Sequence, residues 1–91
     1  MTPPGLLIAA AGVMATPARP VGPGWDLQFS VNHLAHATLA AALYPLMAAR
    51  SARVVVYSSA GHHLSDIRWD DLHFTRGYDK WAAYGQSKTA N

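Results

Sequence analysis

Apolar residues fall along this chain in three blocks, each with its own rhythm. Leu6 to Ala10, introduced by Pro3, Pro4 and Gly5, is a continuous apolar run with no polar alternation. Such a run predicts a parallel strand buried on both faces. Gly12 ends it, and a loop follows that carries Pro17, Pro20, Gly22, Pro23 and Gly24. From Trp25 to about Ala49 the spacing becomes helical. Leu27, Val31 and Leu34 share one face, and Phe29, Asn32, His36, Leu39, Leu43 and Met47 spread over an adjoining one. This helix is apolar nearly all round, so protein should cover both sides, and Pro45 should end it or kink its last turn. Arg53 to Ser59 (RVVVYSS) is a second strand, rich in β-branched residues.

Strand, long helix and strand make a βαβ unit, for which a right-handed crossover is expected. After Ser59 a polar and aromatic stretch, Ala60 to Asp79, holds no sustained period. Within it Ile67, Trp69, Leu72 and Phe74 should pin the loop to the domain, with the aspartates in solvent. A second helix begins near Lys80 or Trp81 and continues to Asn91. A pair of parallel strands leaves much apolar surface to cover, and parallel sheets are covered on both faces. The expectation is one incomplete α/β domain over residues 1–91, the middle of a larger Rossmann-like three-layer parallel sheet.

Composition narrows the classes. About half of the 91 residues are hydrophobic and 13% are charged, a globular balance. The net charge of +2 comes from scattered Arg and Lys that never form a run, and nothing interleaves basic with aromatic residues, so no nucleic-acid partner is expected. The lack of cysteine excludes disulfides, thiolate zinc sites and cysteine nucleophiles, and fits a cytoplasmic protein. LLIAAAGVMA (Leu6 to Ala15) has no basic residue ahead of it, the first charge being Arg19. It is also shorter than the roughly 20 apolar residues of a membrane span, so neither a secretory leader nor a membrane partner is expected.

Several constellations could carry chemistry. Tyr84 and Lys88 lie four apart on the second helix, so they share a face; an ammonium there favours the phenolate and lowers the tyrosine pKa towards general acid/base work. The same spacing also describes an ordinary exposed helix face. Ser58 and Ser59 end the RVVVYSS strand, where ligands of α/β folds bind, and alternation should turn only one of them to a given side. Small polar residues at a strand end also satisfy nearby backbone. YSSAG nearly matches the hydrolase nucleophile elbow, but Tyr57 replaces its first glycine and HHLSD is a poor start for the helix that must follow. Asn32, in a nearly apolar helix, must find partners for its amide, as a polar plug or as part of a water site. His62, His63, Asp66, Asp70, Asp71 and His73 lack metal-ligand spacing, as do His33 and His36, so no metal is expected. No Gly-rich phosphate loop occurs.

Taken in order, LLIAAAGVM, WDLQFSVNHLAHATL, RVVVYSSAGHH, DDLHF and YGQSKTAN resemble the short-chain dehydrogenase/reductase family, and its retinol-dehydrogenase-like branch in particular. The resemblance covers nearly all of the chain after residue 5. It implies Tyr84 as general acid/base, Lys88 tuning it and binding the nicotinamide ribose, and Ser59 on the substrate oxygen with Ser58 as the alternative. Asn32 would hold a water in the proton relay. Ala10, Ala11 and Gly12 would border the cofactor, NAD(P)(H) with NADP(H) favoured. A small carbonyl or alcohol would be the substrate. The helices Trp25–Ala49 and Trp81–Asn91 would be the surfaces of a homo-oligomer. Two strand-motif asparagines of the family are Ala9 and Ala10 here, Ala35 replaces a usual glycine, and the family's dinucleotide loop is not in the chain. The reading is an oxidoreductase segment; the alternative is a non-catalytic remnant or interaction piece.

Overall fold

The computed structural model describes residues 4–91, so Pro3 of the strand's lead-in lies outside the described residues. β1 (Leu6–Ala9) and β4 (Arg53–Val56) pair in parallel, with Leu6 opposite Arg53 and Ala9 opposite Val56. Between them the loop makes a small antiparallel pair, β2 (Pro20–Val21) with β3 (Trp25–Asp26). The helix therefore starts two residues later than its apolar spacing suggests. Asp26 is its N-cap, accepting the Phe29 N–H at 2.8 Å, which satisfies one of the free amides of the first turn.

The helix is also not uniform. α1 (Leu27–Phe29) passes into a π turn (Ser30–Leu34) and then into α2 (Ala35–Ala48). Pro45 sits inside α2, which continues to Ala48. The carbonyl that proline leaves without a donor belongs to Ala41, which is exposed, so water can satisfy it. After β4 the Tyr57 N–H still donates to the Ala9 carbonyl at 3.1 Å; Ser58 and Ser59 then leave the ladder, ending the strand earlier than RVVVYSS suggests. A 3-10 turn (Ala60–Leu64) follows, and α3 (Lys80–Ala90) closes the described chain. Asp79 caps α3 through the N–H groups of Trp81 and Ala82.

The architecture is α/β, part of a Rossmann-like parallel sheet. Ala9, Val54 and Val56 border a cavity of about 130 Å³ under the helix residues Ala37 and Ala40. The expected burial on both faces is not met among the described residues: Leu6, Ile8 and the whole of β4 are exposed, and only Ala9 of the pair is buried. With a two-stranded sheet the described elements cannot cover both faces. The intervening loop also departs from expectation. Phe74 is buried, but Trp69 is 77% exposed and pins nothing. Asp71 is buried rather than solvated, accepting from the Thr75 N–H, the Thr75 hydroxyl and the Arg76 N–H.

Candidate active site

The π turn, residues 10–14 beyond β1, Ser58–Gly61 and one face of α3 meet beyond the carboxyl ends of the parallel strands. That is where open α/β sheets bind ligands. Asn32 is fully buried at the centre. Its Oδ1 accepts the Val13 N–H at 2.9 Å, and its Nδ2 donates to the Val13 carbonyl at 2.9 Å and to Ser87 Oγ at 3.0 Å. Both amide donors are therefore used to tie the strand exit and α3 to the helix. The π turn around it, closed by the Ala35 N–H on the Ser30 carbonyl, is the kind of irregularity that recurs at functional sites.

Tyr84 and Lys88 share one face of α3, as their spacing requires, and in the fold that face turns towards the strand exit. Lys88 is 8% exposed, and its Nζ stands 5.7 Å from the centre of the Tyr84 ring. Together with Ala10, Gly12, Val13 and Met14 these two side chains line a cavity of about 200 Å³. Ala11, between two lining residues, is exposed. Gly12 is required by close approach: a Cβ there would sit 2.8 Å from Asn32 Oδ1 and 3.8 Å from Lys88 Nζ. Among the described residues no carboxylate pairs with Lys88. A largely buried ammonium without an anionic partner, at the wall of a small polar cavity, suits a hydroxyl-rich group such as a ribose.

The two serines take different partners, although both lie beyond the end of β4. Ser58 Oγ donates to the Lys88 carbonyl at 2.8 Å, which holds the strand end against α3. Ser59 Oγ accepts the Gly61 N–H at 3.0 Å and caps the 3-10 turn. Gly61 faces the Tyr84 ring so closely that a Cβ would lie 2.6 Å from Cε2 and 3.3 Å from Ser59 Oγ. Ser59 and Tyr84 thus flank one point, and Ser58 is turned away from it. Among the described residues no three His, Asp or Glu side chains gather in a metal-binding group.

Sequence reasoning missed several residues that build this site. Ser87 receives Asn32 and donates to the Tyr84 carbonyl at 2.7 Å. Gln28 accepts the Ala15 N–H and donates to Tyr78 Oη and to the Lys80 carbonyl, joining the strand exit to the start of α3. Gln86 accepts the Arg68 N–H and donates to the Leu72 carbonyl. Asn91 reaches the backbone of both Asn32 and Tyr57. The available signal was position alone: Asn91 follows Lys88 by three and Tyr84 by seven, the same helical stripe.

No family model matches the chain. A Streptomyces lividans protein named "Probable oxidoreductase" is 48% identical over 89 residues, covering 94% of this chain and 30% of its own length. Human retinol dehydrogenase 14 is 38% identical over 87 residues, covering 94% of this chain and 26% of its own. A Penicillium roqueforti short-chain dehydrogenase/reductase is 37% identical over 90 residues, covering 93% and 26%. The chain therefore spans less than a third of the length of these curated relatives. A crystal structure of an uncharacterised protein from Mycobacterium paratuberculosis superposes with a TM-score of 0.85 at 35% identity, over 97% of this chain and 32% of that one. With relatives so named aligned along nearly its whole length, and its strand, helix, strand and helix order in place, this chain belongs to the short-chain dehydrogenase/reductase family as a segment of the full fold.

Proposed function

We propose that this chain supplies the proton-handling side of an NAD(P)-dependent oxidoreductase that interconverts a carbonyl and an alcohol. The observation that carries the reading is the shared cavity of Tyr84, Lys88, Ala10 and Gly12, with Ser59 across the Gly61 gap from the Tyr84 ring. A nicotinamide cofactor held beside Tyr84 and Lys88 would supply the hydride for the carbonyl carbon in the reduction direction. Tyr84 gives its phenolic proton to the substrate oxygen, and Ser59 donates a hydrogen bond to that oxygen while negative charge develops on it. The Lys88 ammonium stabilises the phenolate left behind and binds the ribose. We further assign Asn32 to hold a water that returns the proton to Tyr84 through Lys88, whose Nζ also lies near Gly12. In oxidation the same groups act in reverse.

The names and fold of the relatives support the oxidoreductase class. The small cavity supports a small-molecule substrate. No helix among the described residues is long and apolar enough to cross a membrane. We place the protein in the cytoplasm and propose a homo-oligomer through the exposed Trp25, Leu39, Tyr44 and Trp81. Those exposed apolar side chains also support the second reading, a non-catalytic interaction piece. An in-frame T-G-x-x-x-G-x-G segment upstream in the gene separates the two.

The deciding experiment scans carbonyl substrates by nicotinamide absorbance, NADPH first, on the full-length polypeptide that carries these residues. Tyr84→Phe should lower the rate by about 10²–10⁴-fold while the fold stays intact. Retained activity in that variant defeats the acid/base role. Residues 1–91 alone should neither bind dinucleotide tightly nor turn over, because no Gly-rich phosphate turn lies among them. Micromolar binding by calorimetry would contradict that.

A further inference from the structure

We infer that Asn91 is a positioning residue that fixes the three elements of the site relative to one another. Its Nδ2 carries two N–H donors, and each is spent on a backbone carbonyl from a different element. One goes to Asn32 in the π turn at 2.9 Å, the other to Tyr57 at the end of β4 at 3.1 Å. The remaining amide oxygen lies 3.1 Å from His33 Nδ1. An amide oxygen only accepts, so the His33 proton in this contact sits on Nδ1.

What these partners do gives the contacts their weight. Tyr57 makes the last rung of the parallel ladder through its N–H on Ala9, and Ser58 and Ser59 begin immediately beyond it. Asn32 carries the amide that holds the strand exit beside Lys88. Asn91 itself stands at the end of α3, three residues past Lys88. One side chain therefore spans the Asn32 turn, the approach to Ser59 and the helix of Tyr84 and Lys88. Only a group with two diverging donors and an acceptor fits these three partners. An aspartate, identical in shape, would turn two acceptors towards two carbonyls. A serine has one donor and cannot reach both.

This role in turnover rests on the oxidoreductase reading above, so the test has one arm with activity and one without. In the full-length polypeptide, Asn91→Asp and Asn91→Ala should lower kcat by about 10²-fold, as misplacement of catalytic groups does, when assayed well below a melting temperature that the lost hydrogen bonds reduce only modestly. Asn91→Gln, which keeps both donors, should recover part of the loss. A merely structural residue would lower the melting temperature and leave kcat of the folded enzyme alone. Wild-type kcat in the Asp and Ala variants overturns the proposal. The second arm is nitrogen-15 NMR of the wild-type protein. The Asn91 side-chain protons should exchange slowly with solvent, and His33 should show the Nδ1–H tautomer, lost in Asn91→Asp. Exchange at the free-amide rate, or an Nε2–H tautomer, overturns the clamp even if the variants fail to fold. If the wild type reduces no carbonyl, the functional reading fails, and the NMR arm still decides whether the clamp exists.

Discussion

The carboxyl end of the β1–β4 pair and the sheet itself follow opposite rules of burial. Around the site the fully buried large side chains are polar: Gln28, Asn32, Gln86 and Ser87. On the sheet, Leu6, Ile8, Val54, Val55 and Val56 stand 40–52% exposed. Each buried amide is matched with backbone donors and acceptors inside the chain, so this end is held by directional bonds, while the Lys88 ammonium and the buried Ser30 hydroxyl keep capacity for a ligand or water. Apolar burial has no direction and only needs a cover, which the described elements do not supply. The site can therefore be formed locally while the sheet awaits partners, and the proposed remainder of the polypeptide is their natural source.

The strongest way to break this contrast is to make the polar end apolar. Asn32→Leu removes the partner of the Val13 N–H and carbonyl, and Gln28→Leu does the same to the Ala15 N–H and the Lys80 carbonyl. Each buried group left unpaired should cost about 1–3 kcal/mol. The shift in denaturant midpoint at unchanged m measures it. If both leucine variants match wild type, these amides do not hold the site end together.

Gly61→Ala should act on chemistry more than on stability. The added Cβ would meet the edge of the Tyr84 ring at 2.6 Å, and a ring cannot fold away as a flexible side chain can. The ring must shift, and kcat in the full-length polypeptide should fall by about 10–10²-fold with the melting temperature nearly kept. Unchanged kcat would show that Tyr84 has more room than this geometry allows.

At the sheet the contrast can be sharpened by comparing two chain lengths. Val55→Thr keeps the shape and adds a hydroxyl. On the exposed strand of residues 1–91 it should cost less than about 0.5 kcal/mol. In the full-length polypeptide, with a partner covering β4, the buried hydroxyl should cost about 1–3 kcal/mol. Equal costs in the two would mean that nothing covers this face of β4.

This division also explains what could be read from the residues alone. Apolar runs announced β1 and β4, and the i, i+4 spacing of Tyr84 and Lys88 placed them on one face of α3, because period follows directly from backbone geometry. Period could not announce the π turn, whose residues SVNHL look helical; its widening accompanies the Asn32 bonds to the Val13 backbone, beyond the end of β1. Gln28, Gln86 and Asn91 look like surface residues until tertiary structure brings carbonyls to them. β2 and β3 are two residues each, too short for alternation to register. Hydrophobicity marked β4 as a strand to be covered but could not say by what.

The smallest expected effect is a pH response in which Asp71 of the loop and Asp26 at the start of α1 act with opposite sign. The Thr75 hydroxyl and N–H hold the Asp71 carboxyl well below its ordinary value, at about 2. A carboxyl depressed on folding stabilises the fold above its unfolded pKa, near 3.8, and that contribution is lost as pH falls towards 2. Burial pushes the Asp26 carboxyl up, against the opposing Phe29 N–H and the His73 imidazole. Its folded form therefore holds a proton more tightly than the unfolded chain, and its contribution is full below the ordinary value and declines as pH rises above it. Between pH 4 and about 2 the Thr75 and Arg76 amides should lose protection in hydrogen exchange while the Phe29 amide, capped by Asp26, keeps its own. Asp71→Asn should remove the acid step at Thr75 and Arg76. An acid step that survives this substitution would assign the loosening to a group other than Asp71.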